Sequence, residues 1–208
     1  NACVNYLYLA IMRINELNKT KKLLLSIDDI SRELSISKKS AIVAANRYVK
    51  QGLLIRIKKN LYITTNKFDS LGENELYKIA NLIQTPSYIS LLTALSYYNI
   101  STQQQRGVIE SIAIKRSKQL IVDNIEFKFL LVNKNFYLDF VLKDEFFIAS
   151  PDKAIADVVY LSSLGKYDCD FNAIDFKKIS KSEIDRYIKK TNQRTQSYWN
   201  NLCKSYKI

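Results

Sequence analysis

Apolar positions follow a helical period at the start of the chain and an alternating one later. Val4, Leu7, Tyr8, Ile11 and Ile14 share one helical face and predict a helix over about residues 3–18. After the polar stretch "NKTKK", Ser26 and Asp29 stand at capping-box spacing, and Ile27, Ile30 and Leu34 form one apolar stripe. Ser37 then reads as the cap of a helix running to Gln51, with Ala41, Ala44, Ala45 and Tyr48 on one face and Gly52 as its stop. Beyond it, Leu54–Ile57 and Leu61–Ile63 read as two short strands about a "KKN" tip. Three helices followed by a hairpin is the order of a winged helix-turn-helix, expected here over residues 1–66. The alanines suit two helices that cross at close range.

"NKFDSLGENE" reads as a linker, and a helix follows from about Glu73 to Gln84. The rest is mixed in pattern. "TPSYISLLTALSYYNI" places Pro86 near a helix start. Strands are expected at Val108–Ile114, Gln119–Val122, Ile125–Val132, Phe136–Leu142 and Phe146–Ile148, with Asp123-Asn124 turning one hairpin. Ser150, Pro151 and Gly165 bracket a further helix as cap, first residue and stop. Two more helices are expected near Lys181–Thr191 and Thr195–Tyr206. The fold class is therefore α+β: a winged helix-turn-helix over residues 1–66 and a mixed α+β domain over 73–208.

Charge sharpens this division. The 208 residues carry a formal net charge of +12. Up to Asn66 there are twelve basic and four acidic residues, a net +8, which leaves +4 for the remaining two-thirds. The chain is rich in Lys, Asn, Ile and Tyr, as AT-rich coding sequence would make it, but such a bias spreads charge evenly. The asymmetry instead points to a nucleic-acid-binding first domain. It also accounts for an oddity. Lys38 and Lys39 occupy the first turn of the Ser37 helix, where the helix dipole disfavours cations. Against DNA phosphates, dipole and lysines act together. The second helix of a helix-turn-helix enters the major groove by this end. Ser37 and Ser40 are hydroxyl donors there. Asn46 and Arg47 match adenine and guanine edges, and Ile42 and Val43 can meet thymine methyls. Lys50 lies at the far end of the helix, and Arg56, Lys58, Lys59 and Asn60 lie on the wing.

Other chemistries find little support. The sequence has no histidine, so Ser-His-Asp and Cys-His catalysis and His-bearing metal sites are excluded. Neither GxxxxGK[ST] nor GxGxxG occurs. Cys3, Cys169 and Cys203 show no CxxC spacing, and a reducing cytoplasm suits them. Asp168 and Asp170 in "DCD" form a two-carboxylate loop of the kind that is usually solvated; Asp139, Asp152 and Asp157 are scattered among apolar neighbours. No apolar run approaches the ~20 residues of a membrane span, and "NACVNYLYLAIM" reads as a first helix and not as a leader.

Two segments of the second half, "TPSYISLLTALSYYNI" and "IASPDKAIADVVYL", together with the preceding "IRIKKNLYIT", resemble the AbiE-type antitoxins of type IV toxin–antitoxin systems. The resemblance runs along essentially the whole chain in the right order. Pro86, Ser87, Tyr88 and Ser90 match the first motif; Ser150, Pro151, Lys153, Ala154 and Asp157 match the second. Asp152 stands where such proteins often have Glu, and Asn60 where Gly is common at the wing tip; Asn tolerates the left-handed conformation. The resemblance implies a cytoplasmic bacterial protein without cofactor or catalytic residues. It implies a first domain that represses its own operon at inverted repeats in double-stranded DNA. The second domain counters a nucleotidyltransferase-like toxin without a stable complex.

By their spacing alone, Lys153 and Asp157 allow an i,i+4 pair. Tyr88 and Ser90 either face a functional surface or fasten a helix to the sheet. The alternatives to an antitoxin are a ligand- or partner-responsive winged-helix regulator and an enzyme built on Asp and Lys.

Overall fold

A computed structural model of the chain describes residues 13–103 and 105–208. The protein is mixed α+β, with its strands in two sheets. It divides into two compact units, Asn1–Gly72 and Glu73–Ile208.

In the first unit, residues 13–19 are helical (α1); the earlier part of the helix expected over 3–18 lies outside the described residues. Helices α2 (Ile27–Glu33) and α3 (Lys38–Lys50) follow, then strands β1 (Leu54–Lys58) and β2 (Leu61–Thr64). The capping box at α2 forms: Asp29 N–H donates to Ser26 Oγ at 3.1 Å and Ser26 N–H donates to Asp29 Oδ2 at 2.9 Å. Ser37 Oγ accepts from Ser40 N–H at 3.1 Å and starts α3. Ala41, Ala44, Ala45 and Tyr48 turn inward, where they join Leu17, Ile30, Leu54 and Tyr62 in one core. Side chains this small let α2 pack closely on α3. Gly52, at φ +70°, takes the left-handed conformation that ends the helix. The hairpin pairs Leu54 with Thr64 and Arg56 with Tyr62, and its second strand is tied back before α2, with Leu25 N–H donating to Tyr62 O at 2.8 Å.

The segment expected as a linker is in part a helix, α4 (Thr65–Asp69). Phe68 is buried in it, and the Lys67 ammonium donates to the carbonyls of Thr20 at 2.7 Å and Lys22 at 3.0 Å. One aromatic and one long cation thus tie a turn-like stretch to the first unit.

The second unit opens with α5 (Glu73–Ile83), β3 (Ser87–Ile89) and α6 (Leu91–Tyr97). It continues with β4 (Val108–Ala113), β5 (Lys118–Val122), β6 (Ile125–Leu131), β7 (Phe140–Lys143) and β8 (Phe146–Ala149). Three helices close it: α7 (Pro151–Ser163), α8 (Lys181–Ile188) and α9 (Gln193–Tyr206). The six strands run β5-β6-β4-β3-β8-β7. Pairings β3–β8 and β4–β6 are parallel and the others antiparallel. Asp123, at φ +54°, turns the β5–β6 hairpin as expected.

Two expectations fail here. Pro86 precedes a strand and not a helix: Ser87–Ile89 forms β3, an interior strand of the sheet, and the helix begins only at Leu91. The strand expected over Phe136–Leu142 is broken. Residues Lys134–Phe136 make a 3-10 turn and Asp139 takes φ +55°, so only Phe140–Lys143 is extended.

Candidate nucleic-acid interface

Helix α3 has one buried and one exposed side. Opposite the alanine face, Lys38, Lys39, Ser40, Asn46, Arg47 and Lys50 are exposed. So are Ile42 and Val43, at 45% and 67% relative accessibility, high for β-branched apolar side chains. Apolar residues this open add little to the core of their own unit, and two in succession make a surface patch. Arg47 lies over the Tyr48 ring, 5.3 Å from its centroid. Ser37 and Ser40 are exposed, with their hydroxyls 2.9 Å apart. On the hairpin, Arg56, Lys58, Lys59 and Asn60 are exposed as well.

Lys38 and Asn60 are each held by a partner on α2 within the first unit. Lys38 Nζ lies 2.7 Å from Asp28 Oδ1, so the first cation of α3 is paired across the α2–α3 turn. Asn60, at φ +59°, gives the hairpin tip its left-handed residue, and its Oδ1 accepts from Ile27 N–H at 2.8 Å. Its side chain fastens the tip to the start of α2, which is a structural duty. The sequence reading also passed over Arg13. It lines the same shallow concavity as Lys39, Ser40, Val43 and Arg47. Arg13 precedes Lys39 by 26 residues in the chain, so no local pattern links it to α3.

The motif residues of the second unit converge on one buried cluster. Asp157 of α7 pairs with the Lys153 ammonium one turn earlier. Its other oxygen accepts from Tyr88 Oη at 3.0 Å and from Ser90 Oγ at 2.7 Å. All four side chains are fully buried. The Lys153 ammonium also sits 3.9 Å from the centroid of the Phe136 ring, within cation–π range. Burial raises the Asp157 pKa, against the pull of Lys153, Ser90 and Tyr88. Burial likewise lowers that of Lys153, against the pull of Asp157. Tyr88 and Ser90 thus fasten β3 and the start of α6 to α7; they do not face solvent.

The remaining motif residues have local duties. Ser150 Oγ caps α7 by accepting from Lys153 N–H at 3.3 Å, Pro151 is its first residue, and Asp152 Oδ1 accepts from Ser180 N–H at 2.7 Å. Pro86 is half-buried and Ser87 buried.

Ser90 precedes α6 but spends its hydroxyl on Asp157. The capping falls to Glu110 of β4, whose Oε2 accepts from Leu92 N–H at 3.2 Å and from Tyr167 Oη at 2.8 Å. Burial raises the pKa of Glu110, with Tyr167 and Lys128 acting against it. Glu110 and Tyr167 carry no local signal, because they are 57 residues apart and meet only in the folded second unit.

Among the described residues, no group of three or more His, Cys, Asp or Glu is placed to hold a metal ion. Asp170 of the "DCD" loop accepts from Asn172 N–H at 3.0 Å. No helix among the described residues is long and apolar enough to cross a membrane.

Neither a protein-family model nor a curated protein matches the sequence. Among solved structures, the chain is similar to the RV2827C protein from Mycobacterium tuberculosis, seen in a crystal structure. The TM-score is 0.64 at 10% sequence identity, covering 92% of this chain and 75% of that one. At this identity the likeness is one of fold.

Proposed function

We propose that the chain is a winged helix-turn-helix DNA-binding autorepressor and the antitoxin of a type IV toxin–antitoxin system. In this reading α2 and α3 are the helix-turn-helix and β1–β2 is the wing. The reading rests above all on the two faces of α3. Its small residues are buried, while Ser40, Ile42, Val43, Asn46 and Arg47 stand exposed between cations, as a helix that enters the major groove requires. Lys38, Lys39, Lys50, Arg56, Lys58 and Lys59 serve the phosphates, and the net +8 of the first third supplies long-range attraction.

The antitoxin half is supported by the resemblance of its two motifs and by their meeting at Asp157, which gives Tyr88, Ser90 and Lys153 a common physical reason to be present. The test is a gel shift with the DNA upstream of the gene, at several salt concentrations and with random competitor. It is paired with coexpression of the neighbouring gene product. Selective retardation together with rescue from a toxic nucleotidyltransferase-like neighbour is the expected result. Selective retardation without a toxic neighbour would reduce the reading to a plain winged-helix regulator. Absence of retardation at low salt would remove the DNA-binding half.

A further inference from the structure

The two edges of the exposed α3 face differ in how their charge is compensated. On one edge, Lys38 is held by Asp28 at 2.7 Å. On the other, Arg13 of α1 reaches the concavity that Lys39 and Arg47 also line, with Ser40 and Val43 between them. Among the described residues, none that lines this concavity is a carboxylate. Lys39 and Arg47 are eight residues apart, about 12 Å along the helix, so the three cations flank a strip and not a point. Like charges gathered on a concave surface repel one another, and an anion laid along the strip relieves that repulsion. Arginine suits the task, since its planar fork binds phosphate oxygens in pairs.

We infer that Arg13, Lys39 and Arg47 form a phosphate clamp for one strand of the duplex. This rests on the DNA-binding reading above and refines it in two respects. Arg13, outside the helix-turn-helix, becomes part of the interface. Arg47 becomes a backbone contact and not a reader of guanine. The clamp anchors the α1 side of the helix, so the edge carrying Ile42 and Asn46 is the one turned toward the bases.

The experiment is fluorescence anisotropy of the full chain on two labelled duplexes, one from the upstream region and one of random sequence, across a salt series. Arg13→Gln should weaken both duplexes by the same factor, roughly eightfold at 0.1 M salt, and flatten the log–log salt slope of each by about 0.9, the contribution of one neutralised phosphate. Arg47→Gln should behave the same way. Arg13→Lys should recover the slope, and Asn46→Ala should change only the preference for the upstream duplex. Unchanged slopes for Arg13→Gln, in a protein that still binds the upstream duplex, would overturn the clamp and leave the DNA-binding reading standing. So would an Arg47→Gln loss confined to the upstream duplex. A wild-type chain that binds neither duplex would instead overturn the reading itself and the clamp with it.

Discussion

Lys38 Nζ and Asp28 Oδ1 lie 2.7 Å apart, joining the first turn of α3 to the first turn of α2. Both side chains are more than half exposed, so the pair itself adds little to stability. On the proposed DNA-binding reading the pair matters more, because Lys38 would have to leave Asp28 to reach a phosphate. Asp28→Asn removes that competition and a repulsive charge. An exposed pair is worth about 0.2–1 kcal/mol, so binding to any duplex should tighten by up to about fivefold. The gain should vanish in a Lys38→Ala background. A gain that persists there would assign the effect to net charge alone.

The buried cluster makes a separate stability prediction. Asp157→Asn leaves the Lys153 ammonium enclosed without its counter-charge and should cost about 3–5 kcal/mol. Tyr88→Phe removes one hydrogen bond to Asp157 and should cost about 1 kcal/mol. Replacing both ends of the ion pair, Lys153→Met with Asp157→Leu, should be milder than Asp157→Asn, since no charge is then left unpaired. Urea unfolding monitored by circular dichroism distinguishes these cases. A double variant as damaged as the single one would argue against the pair as the source of the cost.

Asp29 sets an acid limit on the first unit. Burial acts to raise its pKa but is outweighed by hydrogen bonds from Lys22 and Ser26, which leave it at about 2 against 3.8 for a free side chain. The folded state thus holds the carboxylate more firmly than the unfolded chain does. Its contribution is complete above about pH 4 and is lost as pH falls toward 2. Asp29→Asn should melt below wild type at pH 7, and the gap should close as the pH approaches 2. A gap that stays constant over that range would place the effect elsewhere.

At the hairpin tip, Asn60→Gly keeps the left-handed conformation but loses the bond to Ile27 N–H. It should cost about 1 kcal/mol of stability and leave the DNA salt slope as it was. Lys59→Gln, one residue earlier, should do the reverse, with unchanged melting and a slope flatter by about 0.9. Exchange of these two outcomes would make Asn60 a DNA contact.

The legible parts of the sequence were those decided within a few residues. Ser26 with Asp29, Ser37 with Ser40, and Ser150 with Pro151 announce helix starts because capping is local chemistry. The exposed face of α3 follows from the same period that buries its alanines. The misread parts depend on distant neighbours. β3 has three residues, too few to show alternation, and it is a strand because β4 and β8 flank it. Phe136–Leu142 looks like an unbroken apolar run until Asp139 takes a positive φ. "NKFDS" has turn composition, and its packing rests on distant contacts, the burial of Phe68 and the Lys67 bonds to Thr20 and Lys22. The motif residues were picked out from the sequence, but their meeting was not, since Tyr88 and Asp157 are 69 positions apart. Arg13 was passed over for the same reason.

The central claim is that the exposed face of α3 and the hairpin bind duplex DNA through phosphates while Asn46 and Ile42 select sequence. Its most direct measurement is an anisotropy titration of the full chain against upstream and random duplexes at four salt concentrations. Six to eight neutralised phosphates give an expected log–log slope of about −5.4 to −7.2. The upstream duplex should be preferred, and Asn46→Ala should erase much of that preference without altering the slope. A slope near zero, or equal affinity for both duplexes at every salt concentration, would contradict the account.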